Sequence, residues 1–334
     1  MSLHDDHRLL FGSAFGMFAV LTSLIAIFPA LDNQANNAPL PDSQPLTADE
    51  LAGKRLFVAN GCVSCHTQQV RNVAMDQVWG GRPSIAADYA RIDRMDLWRN
   101  TATLMGTERT GPDLTSIGER QPSSTWHLLH LYNPRAVVAA SIMPAYEWLF
   151  EYREQAAPGD TVVAVPEEYK RGPGTVVARP EALQLVAYLQ SLKQPALPGG
   201  TAAPAFLYQR DSSATGPSDA AVITTELDGA ALYATHCQAC HQPNGQGLKG
   251  AFPSLKGSSI VLAEDPAKLI GIVMKGYDGR VSEGFAVMPP IGTIAKLKPA
   301  EVRAIINHER TSWGNQAPEV SQEQVNAVLQ SIQP

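Results

Sequence analysis

The 334-residue sequence has no long run of lysine or arginine, and its formal net charge is -6. A basic arm or stripe for nucleic acid is therefore excluded. Aromatic side chains make up only 7% of the chain, whereas there are 26 glycines and 25 prolines. That balance suits loop-rich domains wrapped around a large prosthetic group better than a wide core of side chains. Cysteine is scarcer still, with 4 in all. Every one of them belongs to a close pair, which leaves none for a disulfide or a copper-thiolate centre.

The pairs are Cys62 with Cys65 and Cys237 with Cys240, followed directly by His66 and His241. C-x-x-C-H is the attachment pattern of c-type haem, in which two thiols add to the vinyl groups and the adjoining imidazole ligates iron. A split zinc site is the bland alternative. It needs four converging ligands, and these pairs are far apart in sequence. The cofactors expected are two covalently bound haem c groups, and the length suits two domains plus connectors.

No charged residue occurs from Leu9 to Ala30. About 22 helical residues rise about 33 Å, enough to cross a hydrocarbon core of about 30 Å. A cleaved signal peptide would have a shorter apolar region and a small-x-small site after it, and none directly follows Phe28. An uncleaved anchor is the expectation, single-pass in the bacterial inner membrane. Arg8 before the segment and Asp32 after it give a slight bias for a cytoplasmic N-terminus. Haem is attached on the periplasmic side in bacteria, which puts everything after Ala30 there as well.

The fold class expected is mainly α: an N-terminal transmembrane helix followed by two all-α haem domains. Residues 1–31 form the anchor, 32–46 an irregular stalk rich in Asn, Gln, Pro and Ala, 47–193 the first domain, 194–222 a linker, and 223–334 the second domain. Helices are expected from Thr47 into the first motif, over Pro180–Leu192, over Asp228–His236 into the second motif, over Pro266–Lys275 and over Pro299–Arg310. Phe206, Leu207 and Tyr208 are the linker residues expected to touch a domain.

An electron-transfer haem needs a second axial ligand that keeps other molecules off the iron, and a Met thioether raises the potential. In the second domain the candidates are Met274 and Met288. Met274 falls in an apolar helix and reads as core. Met288 precedes Pro289 and Pro290, which force an extended loop, and is chosen. In the first domain Met75, Met95, Met105 and Met143 are available; Met143, before Pro144, is chosen. His127 and His130 are the competing ligands, each more ordinary as a hydrogen-bonded histidine. The iron ligands expected are His66 with Met143 and His241 with Met288. Arg109 and Arg135 are equally suited to a haem propionate or to an ordinary salt bridge.

Gly61-Cys62-Val63-Ser64-Cys65-His66 with Gln69-Val70-Arg71, Arg109-Thr110-Gly111-Pro112-Asp113-Leu114, Trp126-His127, Tyr132-Asn133-Pro134-Arg135 and Ser141-Ile142-Met143-Pro144-Ala145-Tyr146 lie along the first half. Over residues 1 to 193 the chain resembles the membrane-anchored mono-haem subunit II of cbb3-type cytochrome c oxidases. The resemblance implies docking to a haem-copper catalytic subunit and Met143 as distal ligand. Gly229, Tyr233, Cys237-Gln238-Ala239-Cys240-His241, Met288-Pro289-Pro290 and Arg310-Thr311-Ser312-Trp313-Gly314 resemble small class I cytochromes c, with His308 where such domains often carry Tyr. The usual subunit II ends after the first domain, so the second would stand in for a separate electron-entry subunit.

The expected function is an electron relay without chemistry of its own: a periplasmic cytochrome c or cupredoxin donor, then the second haem, then the first, then the catalytic subunit for oxygen reduction. Residues 76–107 depart from the subunit II pattern and leave room for a nitric oxide reductase of the same superfamily. A subunit of a periplasmic dehydrogenase and a di-haem peroxidase are the remaining rivals. Oxygen reduction itself is excluded here, because one span without an intramembrane histidine cannot hold a haem-copper centre.

Overall fold

A computed structural model describes residues 6–36, 38–90, 109–207 and 227–332. Met95, Met105 and Tyr208 lie outside the described residues, as do 91–107 of the divergent segment and 208–222 of the expected linker. In chain order the helices are α1 His7–Thr22, α2 Phe28–Asn36, α3 Ala48–Ala59, α4 Ala87–Ala90, α5 Ile117–Arg120 and α6 Ser124–Tyr132. The strands β1 Phe150–Arg153 and β2 Thr175–Ala178 then precede α7 Pro180–Ser191. The remainder is α8 Gly229–His236, α9 Gln238–His241, α10 Ala267–Lys275, α11 Ile291–Ile294, α12 Pro299–Thr311 and α13 Gln322–Ile332. The protein is mainly helical, as the sequence implies.

The described residues fall into two compact units, one drawn from Met1–Thr47, Val63–Thr115 and Gln194–Gln209, the other from Ala48–Cys62, Ser116–Lys193 and Arg210–Pro334. The first unit holds the long N-terminal helix, which runs from His7 to Asn36. Asp6 caps it by accepting from the backbone N–H groups of Arg8 and Leu9. A π-helical turn, Ser23–Ile27, stands just ahead of Pro29. Proline lacks an N–H and its ring crowds the carbonyl four residues back, and a π turn relieves both. The helix continues through Asn36, beyond the point where the stalk was expected to begin. Leu31 and Ala35 are good helix formers, and propagation from an existing helix costs little. Apolar side chains such as Phe11, Phe15 and Ile25 are exposed all round it, and the helix is long and apolar enough to cross a membrane.

The other described residues of this unit are mostly loop, apart from single turns such as α4, and buried charge holds them. Arg82 donates to both carboxylate oxygens of Asp88 at 2.8 and 2.5 Å and to the Pro195 carbonyl at 3.0 Å. Such a buried pair is stable only because the fork satisfies both oxygens.

In the second unit, α3 packs against α7. Pro180 opens α7 with its φ already helical, and Ala182, Leu185, Val186 and Leu189 form its buried stripe. A Cβ on Gly53 would lie 2.0 Å from the Gln184 carbonyl oxygen and 2.7 Å from Tyr188 Cβ. Four residues on, Phe57 meets the Tyr188 ring edge-on at 5.6 Å. The same device recurs later in the chain. Asp228 caps α8 through Ala230 and Ala231, and a Cβ on Gly229 would lie 2.3 Å from the Ala304 oxygen of α12 and 3.0 Å from His308 Cβ. Four residues on, Tyr233 packs on His308 at 5.2 Å. His308 thus occupies the place that Tyr188 holds in the first pair of helices. Helices α10, α12 and α13 close over Ile270, Val302, Ile306 and Val325, and the hairpin β1–β2 pairs antiparallel with Phe150 opposite Ala178.

These glycines set how closely each motif-bearing helix approaches its partner. Gly53→Ala and Gly229→Ala should each lower stability by about 1–3 kcal/mol, read as a fall in Tm and in denaturation midpoint. Unchanged midpoints for both would refute the close packing.

Candidate haem-binding site

Helix α3 delivers Cys62, and α8 delivers Cys237. Cys62 and Cys237 are buried, Cys240 is half-buried and Cys65 is exposed, and all four are free of disulfides. Among the described residues, no group of three or more His, Cys, Asp or Glu could hold a metal ion between them.

Both motif histidines are fixed in one way. His66 Nδ1 lies 2.8 Å from the Pro112 carbonyl, and His241 Nδ1 lies 3.0 Å from the Pro253 carbonyl. A carbonyl only accepts, so Nδ1 carries the proton and Nε2 keeps its lone pair. Burial lowers the pKa of both imidazoles against those hydrogen bonds, which favours the neutral, ligating form. Gly111 is required at the first site, because a Cβ there would lie 2.4 Å from His66 Cε1. Its neighbour Asp113 accepts from Thr67 Oγ1 at 2.6 Å and the Gln69 N–H at 2.8 Å, tying the Pro112 loop to the chain after His66.

Arg109 belongs to the same framework. It donates to Thr67 Oγ1 at 2.8 Å and the Gln69 carbonyl at 2.6 Å, and pairs with Asp76. Burial would raise the Asp76 pKa, but Arg109 and Arg71 together hold its carboxyl well below the usual range. Arg109 is thus engaged in an internal ion-pair network. Arg135 is exposed and donates to the Met143 carbonyl at 3.5 Å. Met143 itself is half-buried in the loop before Tyr146, its N–H donating to Ser141 Oγ at 3.2 Å.

At the second site, Cys237, Cys240, His241 and Met288 line one cleft of about 100 Å³, together with Phe252, Leu255, Ile272 and Val273. The lining is predominantly apolar with a few convergent polar groups, as is usual for a site that buries a large organic group. A large flat macrocycle with a thiol pair and imidazole on one side and a thioether from a loop suits this lining. Met288 is held by the backbone pair it forms with Tyr277, 2.9 Å each way. Met274 and Met288 both pack against the core of α10, α12 and α13, but only Met288 also lines the cleft. After His241 the chain turns through Gly245, at φ +66°, where a Cβ would lie 2.3 Å from the Trp313 ring; Trp313 Nε1 donates to the Pro243 carbonyl at 3.0 Å.

Two wall residues escaped the sequence reading. Glu309 lines the cleft, and burial pushes its carboxyl up to about 8; it sits beside the motif only through the packing of α12 on α8. Gln121 reaches the cleft too, and its side chain hydrogen-bonds Cys240, whose thiol burial pushes up to about 12. Of the two histidine competitors for the first site, His127 Nε2 donates to the Gln121 carbonyl at 2.7 Å, and His130 stacks on Trp126 at 4.5 Å.

Residues 227–313 match the cytochrome c family. Within it, cytochrome c-552 of Thermus thermophilus is 38% identical over 94 residues, 27% of this chain and 71% of that protein. The chain belongs to the cytochrome c family. Covalently bound haem c is therefore implied, and the donor set above fits it. Residues 3–167 of this cytochrome match the family described as cytochrome c oxidase, mono-heme subunit/FixO, so an oxidase-subunit type region is joined to a cytochrome c domain. The alcohol dehydrogenase (quinone) cytochrome c subunit of Gluconacetobacter polyoxogenes is 32% identical over 98 residues, 28% of this chain. The fructose dehydrogenase cytochrome subunit of Gluconobacter japonicus is 31% identical over 153 residues, 43% of this chain. The matched segments span only 20% and 32% of those two proteins.

Burial holds His127 down to about 4 against a usual 6.5. Between those values the unfolded chain binds the extra proton, so this contribution to stability is complete above about pH 6.5 and is lost as pH falls toward 4. His127→Gln keeps a donor for the Gln121 carbonyl and cannot ionise. Its Tm should fall less steeply over that interval than that of the unmodified protein; equal slopes would contradict this assignment.

Proposed function

We propose that this cytochrome is the di-haem electron-transfer subunit of a cbb3-type haem-copper oxidase, anchored in the inner membrane by α1 and α2 with its haem domains, 47–193 and 223–334, in the periplasm. The observation that carries the reading is the proline-carbonyl clamp on the histidine of both C-x-x-C-H motifs, at 2.8 and 3.0 Å, which leaves two Nε2 atoms ready to ligate. Haem c supplies a one-electron couple when bound. Cys62, Cys65, Cys237 and Cys240 would fasten it, and His66 with Met143 and His241 with Met288 would hold its iron, so that neither site would take up a reactant. A periplasmic cytochrome c or cupredoxin would deliver electrons to the second site. They would pass to the first and on to the catalytic subunit, where oxygen is reduced.

Support for the oxidase as destination comes from the match of residues 3–167 to an oxidase subunit family. Similarity to the dehydrogenase subunits covers a small part of those proteins and supports the electron-transfer chemistry alone. Purification in mild detergent should recover this chain with a many-spanning subunit that binds b-type haem and copper. A partner that reduces nitric oxide or oxidises alcohols or sugars, or none, would overturn the assignment. The reduced unmodified protein should not bind carbon monoxide, whereas Met288→Ala should bind it stoichiometrically and with a lowered potential at one site. Prompt binding by the unmodified protein would point to peroxidase-like chemistry.

A further inference from the structure

We propose that Trp126 is the side chain through which an electron leaves the second motif for the oxidase-type region, held in place by the turn Gln121–Ser124. The proposal rests on the relay reading above and adds the side chain through which the relay runs. Trp126 Nε1 donates to the carbonyl of Ala239 at 3.0 Å. Ala239 stands between Cys237 and Cys240, inside the second motif, so a residue of the oxidase-type region is hydrogen-bonded to the helical turn α9 that carries Cys240. Beside it, Gln121 hydrogen-bonds Cys240, and Arg120, Gln121 and Ser123 form part of the cleft wall that also includes His241 and Met288.

This turn is rigidly supported from its own side. His127 donates to the Gln121 carbonyl at 2.7 Å, and Gln190 of α7 donates to the Pro122 carbonyl at 2.6 Å and to Ser124 Oγ at 2.9 Å. Ser123 caps α6 through the Trp126 N–H at 3.2 Å, which fixes where the indole starts. The ring then lies against His130 at 4.5 Å and 13°, and edge-on to His127 at 5.4 Å. Electron tunnelling decays far faster across a gap than through covalent bonds and hydrogen bonds, so an indole tied directly to the motif backbone is a better conduit than a solvent-filled contact. Contact geometry held by packed neighbours is also what keeps such a path short. A second contact, Gln242 Nε2 to the Val137 carbonyl, is longer at 3.5 Å and lies at the margin of a hydrogen bond.

One electron leaves the site at Cys237 and Cys240 and arrives at the site at Cys62 and Cys65. No bond is made or broken and no proton moves, and Trp126 is neither oxidised nor reduced at the end of the step. Two measurements on the full-length, haem-loaded protein test the proposal. In ferric protein labelled with 15N-tryptophan, the Trp126 indole N–H should exchange with solvent much more slowly than that of free tryptophan. After flash photoreduction of the second site, transfer to the first should be slowed several-fold in Trp126→Phe, which keeps the packing ring but loses the donor, and further in Trp126→Leu, with both midpoint potentials unchanged. Gln242→Ala should leave the rate near that of the unmodified protein. An unprotected indole N–H, or undiminished transfer in both Trp126 variants, would overturn the bridge while leaving the relay intact. Absence of transfer between the sites in the unmodified protein would instead overturn the relay reading itself.

Discussion

The proline-carbonyl hydrogen bond to Nδ1 of each motif histidine is the constraint around which the rest is arranged. It fixes the tautomer, so the opposite nitrogen keeps a lone pair and is not a donor. It also dictates the surroundings: at His66 there is room only for glycine at 111, and Asp113 binds Thr67 and Gln69 so that the clamping loop cannot drift. At His241 the following turn is pinned beneath Trp313, and the Gly247 N–H donates to the His241 carbonyl at 2.9 Å.

The helices that present the motifs obey a shared packing rule with different side chains. A glycine admits the partner backbone, an aromatic ring four residues later fills the crossing, and a closing helix answers with Tyr188 in one case and His308 in the other. The divergence is largest where the two sites need different neighbours. The first motif leans on an internal ion-pair network of Arg109, Arg71 and Asp76, whereas the second is enclosed by an apolar cleft whose wall includes Gln121 and a buried Glu309.

Much of this was legible in the sequence because its signals are local. C-x-x-C-H spacing, the charge-free N-terminal run and the helices α3, α7, α8, α10 and α12 announce themselves within a few residues. Helix α6 was read only as a motif around Trp126 and His127, although Ser123 is a capping residue. Helix α13 was not expected, although Val325, Val328 and Leu329 have helical spacing. The hairpin β1–β2 lay hidden because Phe150–Arg153 and Thr175–Ala178 are short and separated by a loop, and their pairing is not local. The roles of Gln121 and Glu309 were out of reach for the same reason: each meets the second motif only after distant segments have packed.

Taken as electron-transfer machinery, the chain separates attachment from routing. Attachment depends on the thiol pairs and their clamped imidazoles, and routing on side chains such as Trp126 that join one region to the next. Attachment comes first, since nothing can be routed through a chain that lacks its redox groups. Intact-mass measurement of the purified, denatured chain combined with thiol alkylation tests it most directly. The account requires a mass increment of two haem groups with Cys62, Cys65, Cys237 and Cys240 all blocked; a smaller increment, or any of these thiols open to alkylation, would contradict it.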